Sequence, residues 1–151
     1  MVRNATINDV PHIVSLIEEY SINLVLDCAQ TSLSKRRAAN IVNQAIGLGL
    51  CQVAVSPEGE VVGASVGTVG FNVWSDITQE INLLVLYVKP DYRKGSYGAR
   101  LYSSYIESAN ELMGKTPQIL VSNVFAQPEG TNINYEKRGF KLSQISYTKE
   151  K

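Results

Sequence analysis

The chain has 151 residues, with 14 Lys plus Arg against 14 Asp plus Glu. That length suits one domain with an ordinary core, and the balanced charge gives no global basis for binding nucleic acid or an anionic membrane. The opening M-V-R-N-A-T lacks an apolar signal core and no run approaches the roughly 18 apolar residues of a membrane span, so a soluble, cytoplasmic protein is expected.

Val2 to Thr6 reads as a short strand, after which Asn8 caps a helix with Asp9 and Pro11 in its first turn. Val10, Ile13, Val14, Ile17 and Leu24 form its apolar stripe, and His12 is an ordinary helix residue. Glu18 and Glu19 read as a solvated acidic patch, because adjacent helix residues do not face each other. Ser21 to Ser34 is a helix end and loop. A second helix carries Ala38, Ile41, Val42, Ala45 and Ile46, begins on Lys35, Arg36 and Arg37, and stops at Gly47 and Gly49. Cys28 and Cys51 form no C-x-x-C pair; both are expected to be buried, reduced thiols, with no metal site.

Cys51 to Ser56, a tight turn, and Val61 to Val69 make a β-hairpin, in which Gly63, Gly67 and Gly70 mark a bulge or a close backbone approach. Trp74 is either a core residue or a wall of a binding pocket. Glu80 to Val88 is almost continuously apolar, as a strand covered on both faces would be, and Asn82 is its one interior polar residue. Leu101, Tyr105 and Leu112 define a helix ending near Gly114, and Ile119 to Val124 is another buried strand. A short helical piece from Ile133 is stopped by Gly139, and Phe140 to Thr148 closes the chain as a last strand. No repeat, linker or low-complexity segment interrupts this order, so residues 1–151 form one α/β domain.

Between the strand ending at Val88 and the helix carrying Leu101 lies a basic, glycine-containing loop, with Lys89, Arg93, Lys94 and Arg100 nearby. Amides at a helix start have no intrahelical acceptor and carry the positive end of the macrodipole. A phosphorylated ligand is the chemistry such a cradle suits.

Three stretches in this order, V-R-N-A-T-I-N-D-V, L-Y-V-K-P-D-Y-R-K-G-S-Y-G-A-R-L and N-Y-E-K-R-G-F, resemble the GNAT superfamily of acyl-CoA-dependent N-acyltransferases, and the resemblance covers nearly the whole chain. It implies a mixed central sheet of about six to seven strands flanked by about four helices and splayed around an acyl-CoA site. The family's loop pattern, Arg/Gln-x-x-Gly-x-Gly/Ala, falls on Arg93, Lys94, Gly95, Ser96, Tyr97 and Gly98, followed by Ala99, and implies that these residues bind the coenzyme A pyrophosphate. Ser96 stands where the family has its first glycine, and its Cβ would restrict positive φ and close backbone approach.

The resemblance also implies chemistry. An amine attacks the acetyl thioester directly in a ternary complex, which requires a base, oxyanion donors and an acid. Glu80, through a water, or Asn82 as a positioner of that water, stands in the place of the base; the two are one strand period apart. Backbone amides around Leu86, Tyr87 and Val88 are implied as oxyanion donors, on a strand edge that accepts the pantetheine arm as an added strand. Tyr135 takes the place of the family's general acid; the family's upstream asparagine is not at its customary spacing, and of the nearby Asn132 and Asn134 the first is the candidate for touching the cofactor. Asp27, Trp74 and Asp76 are implied walls of the acceptor site, where acidic residues suit a cationic amine. The expected activity is acetyl transfer from acetyl-CoA to a primary amine on a small molecule, peptide or protein, with no nucleic-acid or membrane partner and with a homodimer implied by the family alone. A non-catalytic acyl-CoA-binding or interaction module is the alternative, motivated by Ser96, the unsettled base and the missing upstream asparagine.

Overall fold

A computed structural model describes residues 1–22, 33–72, 74–114, 118–122 and 136–141. Five strands, β1 (Val2–Asn4), β2 (Cys51–Val55), β3 (Val61–Phe71), β4 (Gln79–Val88) and β5 (Gln118–Ser122), form one sheet in chain order. β1 to β4 are antiparallel and β5 runs parallel to β4, a mixed sheet. Three α-helices, α1 (Val10–Ile22), α2 (Lys35–Gly47) and α3 (Tyr97–Met113), are found among the described residues. The described count is therefore five strands and three α-helices, against the six to seven and four expected; the expected closing strand lies outside the described residues beyond Lys141.

α1 is capped differently from the sequence reading. Thr6, not Asn8, begins the turn: a 3-10 turn over Ile7–Asp9 precedes the helix, and Asp9 reaches back to the Thr6 amide at 2.7 Å. Arg3 holds the same carboxylate at 2.8 and 2.9 Å, tying β1 to the helix entry. α2 begins at Ser34, whose hydroxyl accepts the Arg37 amide at 3.3 Å. Glu18 pairs with Lys35 at 2.8 Å, so part of the expected acidic patch joins α1 to α2.

The sheet is covered on both faces, as the apolar run of β4 requires. On one face Ile13, Leu16 and Ile17 of α1 and Val42 of α2 pack with Val53, Val66, Val85 and Tyr87. Cys51 lies in this layer, where burial pushes its thiol up to about 12. On the other face Leu101, Tyr102 and Tyr105 of α3 pack with Val62, Ile81, Leu83 and Val88. α3 comes close because β3 offers no side chain there: a Cβ on Gly67 would lie 2.5 Å from Tyr105 Cε2, and one on Gly63 would lie 3.2 Å from Leu101 Cδ1 as well as 2.8 Å from the Tyr87 carbonyl of β4. The close approach expected of these strand glycines is realised.

β4 changes face along its length. Ile81 and Leu83 face α3, but Val85 and Tyr87 face α1 and α2, although residues two apart on a strand normally share a face. The pairing explains the switch, stepping from Val66↔Val85 to Gly67↔Leu83 and leaving Leu84 as the inserted residue of a bulge.

Candidate functional site

The bulge coincides with the end of β5. Described pairing between β4 and β5 stops at Leu83↔Ser122, so among the described residues β4 is paired beyond Leu84 with β3 alone. The Lys89 amide donates to Val62 O at 2.9 Å, toward β3. Across a trans peptide the Val88 carbonyl then points the opposite way, and by strand alternation the amides of Val88 and Leu86 point outward while that of Tyr87 points to β3. Of the three residues expected to donate, the backbone geometry aims two at the open edge.

The loop turns directly from this edge into α3. A 3-10 turn over Pro90–Tyr92 is followed by exposed Arg93, Lys94, Gly95 and Ser96. Arg100 makes the first helical bond, to Ser96 O at 3.0 Å, so the amides of Tyr97, Gly98 and Ala99 precede the helix ladder. Ser96 has φ −86°, a conformation any residue adopts, so the positive-φ part of the objection to serine here falls away. Gly95 and Gly98 also lie outside the positive-φ region, and a Cβ on either would meet only ordinary contacts, the nearest at 3.7 and 3.9 Å. Neither the backbone nor the packing of the described residues requires glycine at these positions. A bare backbone here leaves room for a ligand to approach closely.

Glu80 and Asn82 alternate with Ile81 and Leu83, so both point to the face of α1 and α2, half-buried. Glu80 is held in place by the Asn72 amide at 2.7 Å. Asn72 also accepts the Trp74 amide at 2.9 Å, and Ser75 accepts from Ile77 and Thr78, which shapes the β3–β4 turn. Trp74 is not a core residue: it is 91% exposed on this turn, flanked by exposed Phe71, Asp76 and Ile77. Asp27, Asn132 and Tyr135 lie outside the described residues. The segment after Tyr135 is anchored by a 3-10 turn over Glu136–Arg138, by Gly139 at φ +84°, and by Phe140 against the α3 layer.

One arrangement escapes sequence reasoning. Arg93 Nε donates to Val88 O at 2.8 Å, its guanidinium lies 5.3 Å from the Tyr87 ring centroid, and the Tyr87 hydroxyl donates to Glu19 at 3.3 Å. Burial, and then the Glu19 charge, push the Tyr87 phenol up. Glu19 is therefore engaged, not merely solvated. No spacing signal links a helix carboxylate to a tyrosine 68 residues away. A shallow groove between α1 and α2, lined by Val14, Glu18, Lys35 and Ala39 among others, includes no residue of β4 or of the loop and is separate from this site.

Among the described residues no group of acidic, histidine or cysteine side chains is arranged to hold a metal, and no helix is long and apolar enough to cross a membrane. The sequence matches no protein-family model and no curated protein. Solved structures do match. An acetyltransferase from Trypanosoma brucei is 18% identical at TM-score 0.66, covering 99% of this chain and 98% of its own. Glucosamine-6-phosphate N-acetyltransferase from Arabidopsis thaliana is 12% identical at TM-score 0.66, with 99% and 97% covered. Ribosomal-protein-alanine N-acetyltransferase from Brucella melitensis is 20% identical at TM-score 0.58, with 81% and 72% covered. The chain shares the fold of these acetyltransferases, the GNAT fold that its three motifs resemble.

Proposed function

We propose that the protein transfers an acetyl group from acetyl-CoA to a primary amine of a small molecule, peptide or protein. The observation that carries this reading is the continuity of two donor sets: the outward amides of Leu86 and Val88 on the open edge of β4, and the amides at the start of α3. The glycines at 95 and 98, which the described fold does not need, support the same reading. Bound acetyl-CoA supplies the activated acetyl thioester.

The chain's residues divide the remaining work. The α3 amides, with Arg93 and Lys94, hold the pyrophosphate; the β4 edge binds the arm as an added strand and donates amides to the thioester oxygen. Glu80, held by Asn72, takes a proton from the incoming ammonium through a water, with Asn82 positioning that water. Tyr135 protonates the leaving thiolate and Asn132 touches the cofactor, both roles resting on the resemblance. The acceptor enters between α1, α2 and the β3–β4 turn, where Asp27, Trp74 and Asp76 recognise a cationic amine. The enzyme acts in the cytoplasm, as a homodimer.

Calorimetry with acetyl-CoA tests the cradle, and thiol release with a panel of amines tests turnover. Micromolar binding together with thiol release from at least one amine is expected, and Tyr135→Phe should slow release about 100-fold. Absence of binding at high micromolar acetyl-CoA sinks the reading. Binding without release from any amine would establish the non-catalytic module instead.

A further inference from the structure

The edge of β4 that faces away from β3, unpaired beyond Leu84 among the described residues, already has an internal ligand. Its Val88 carbonyl, directed away from β3, accepts Arg93 Nε at 2.8 Å. The guanidinium is steadied over the Tyr87 ring at 5.3 Å. That ring is fixed in turn by Tyr20, with centroids 6.1 Å apart, and by the Tyr87 hydroxyl on Glu19 of α1. A chain of contacts thus reaches from α1 through β4 to the loop and ends on the acceptor that an added strand would use.

We propose that Arg93 is a specificity-determining residue: it competes with the strand-like arm for Val88 and so makes use of the edge conditional on a diphosphate. The inference rests on the acyl-CoA reading of the site. A guanidinium bonded to one neutral carbonyl gains when it meets phosphate oxygens, because those bonds are charge-assisted and can be paired in a fork. Arg93 lies three residues before Ser96, which flanks the start of α3, so a diphosphate there offers that exchange. A bare pantetheine offers none. It must displace Arg93 from Val88 without compensation, and the edge discriminates against it.

Calorimetry of coenzyme A and of pantetheine, each against the parent, Arg93→Ala and Arg93→Met, tests this. Arg93 is exposed, so both variants should fold. Pantetheine should bind both variants about tenfold more tightly than the parent, the size of one lost hydrogen-bond competitor, while coenzyme A binds them no more tightly than it binds the parent. If the parent binds coenzyme A but pantetheine gains nothing in either variant, or coenzyme A gains as much as pantetheine, the role of Arg93 is overturned and the acyl-CoA reading stands. A parent that binds neither compound overturns both.

Discussion

Tyr105 is fully buried against Gly67, and its hydroxyl has no hydrogen-bond partner among the described residues. Burial pushes its phenol far above the ordinary range. An unpaired buried hydroxyl costs more than its removal, so Tyr105→Phe should raise unfolding stability by about 1 kcal/mol, visible as a higher urea midpoint. Asp9 gives the opposite expectation. The Arg3 hydrogen bonds, and the Thr6 bonds after them, hold its carboxyl well below the usual range against the cost of burial. Because the folded-state value is depressed, this contribution is present above the unfolded value, about 4, and is lost as pH falls below it. Arg3 is 37% exposed, so solvent screening keeps the loss in Asp9→Asn near 1 kcal/mol at pH 7, shrinking toward zero in acid. Urea titrations at pH 7 and pH 3 check both size and sign. At this scale the sequence was half legible. T-I-N-D carries a capping signature, but Asn8 and Pro11 drew the cap two residues past Thr6, into the 3-10 turn that precedes α1, while the Tyr105 contact depends on a glycine 38 positions away.

Among the elements, the turn from β4 into α3 separates fold from ligand. Gly98 lies in the first turn of α3 at negative φ with room for a Cβ, so Gly98→Ala should leave stability unchanged or raise it by up to about 1 kcal/mol. Acetyl-CoA affinity should nevertheless fall about tenfold or more, since the added methyl stands where a ligand approaches. Thermal unfolding and calorimetry on the same variant read the two effects apart, and a variant unchanged in both would remove the case for Gly98 in the cradle. The loop was legible because its residue types and its place after an apolar strand are written consecutively. The bulge was not, since the run L-L-V-L has no alternation whose interruption could be seen. Trp74 was misleading for a related reason: size and apolarity speak for burial, whereas its exposure follows from Asn72 and Ser75 folding the turn on themselves.

The molecule as a whole is two apolar layers sharing one sheet, and the bulge at Leu84 decides which β4 side chains serve which layer. Deleting Leu84 would restore regular alternation and swap the earlier half of the strand, turning Glu80 and Asn82 toward α3 and Ile81 and Leu83 away from it. Loss of cooperative unfolding, or of soluble expression, is the expected outcome, because two core residues would leave their layer and a carboxylate would enter it. A Leu84 deletion that unfolds cooperatively near the parent midpoint would show the bulge to be incidental. Among the described residues β4 is paired beyond Leu84 with β3 alone, and this one-sided support has a signature in hydrogen–deuterium exchange. Tyr87 and Lys89, whose amides point to β3, should keep their protons far longer than Leu86 and Val88. Along a few consecutive residues, fast and slow sites should therefore alternate, a comb with every second tooth missing, and acetyl-CoA should fill the gaps.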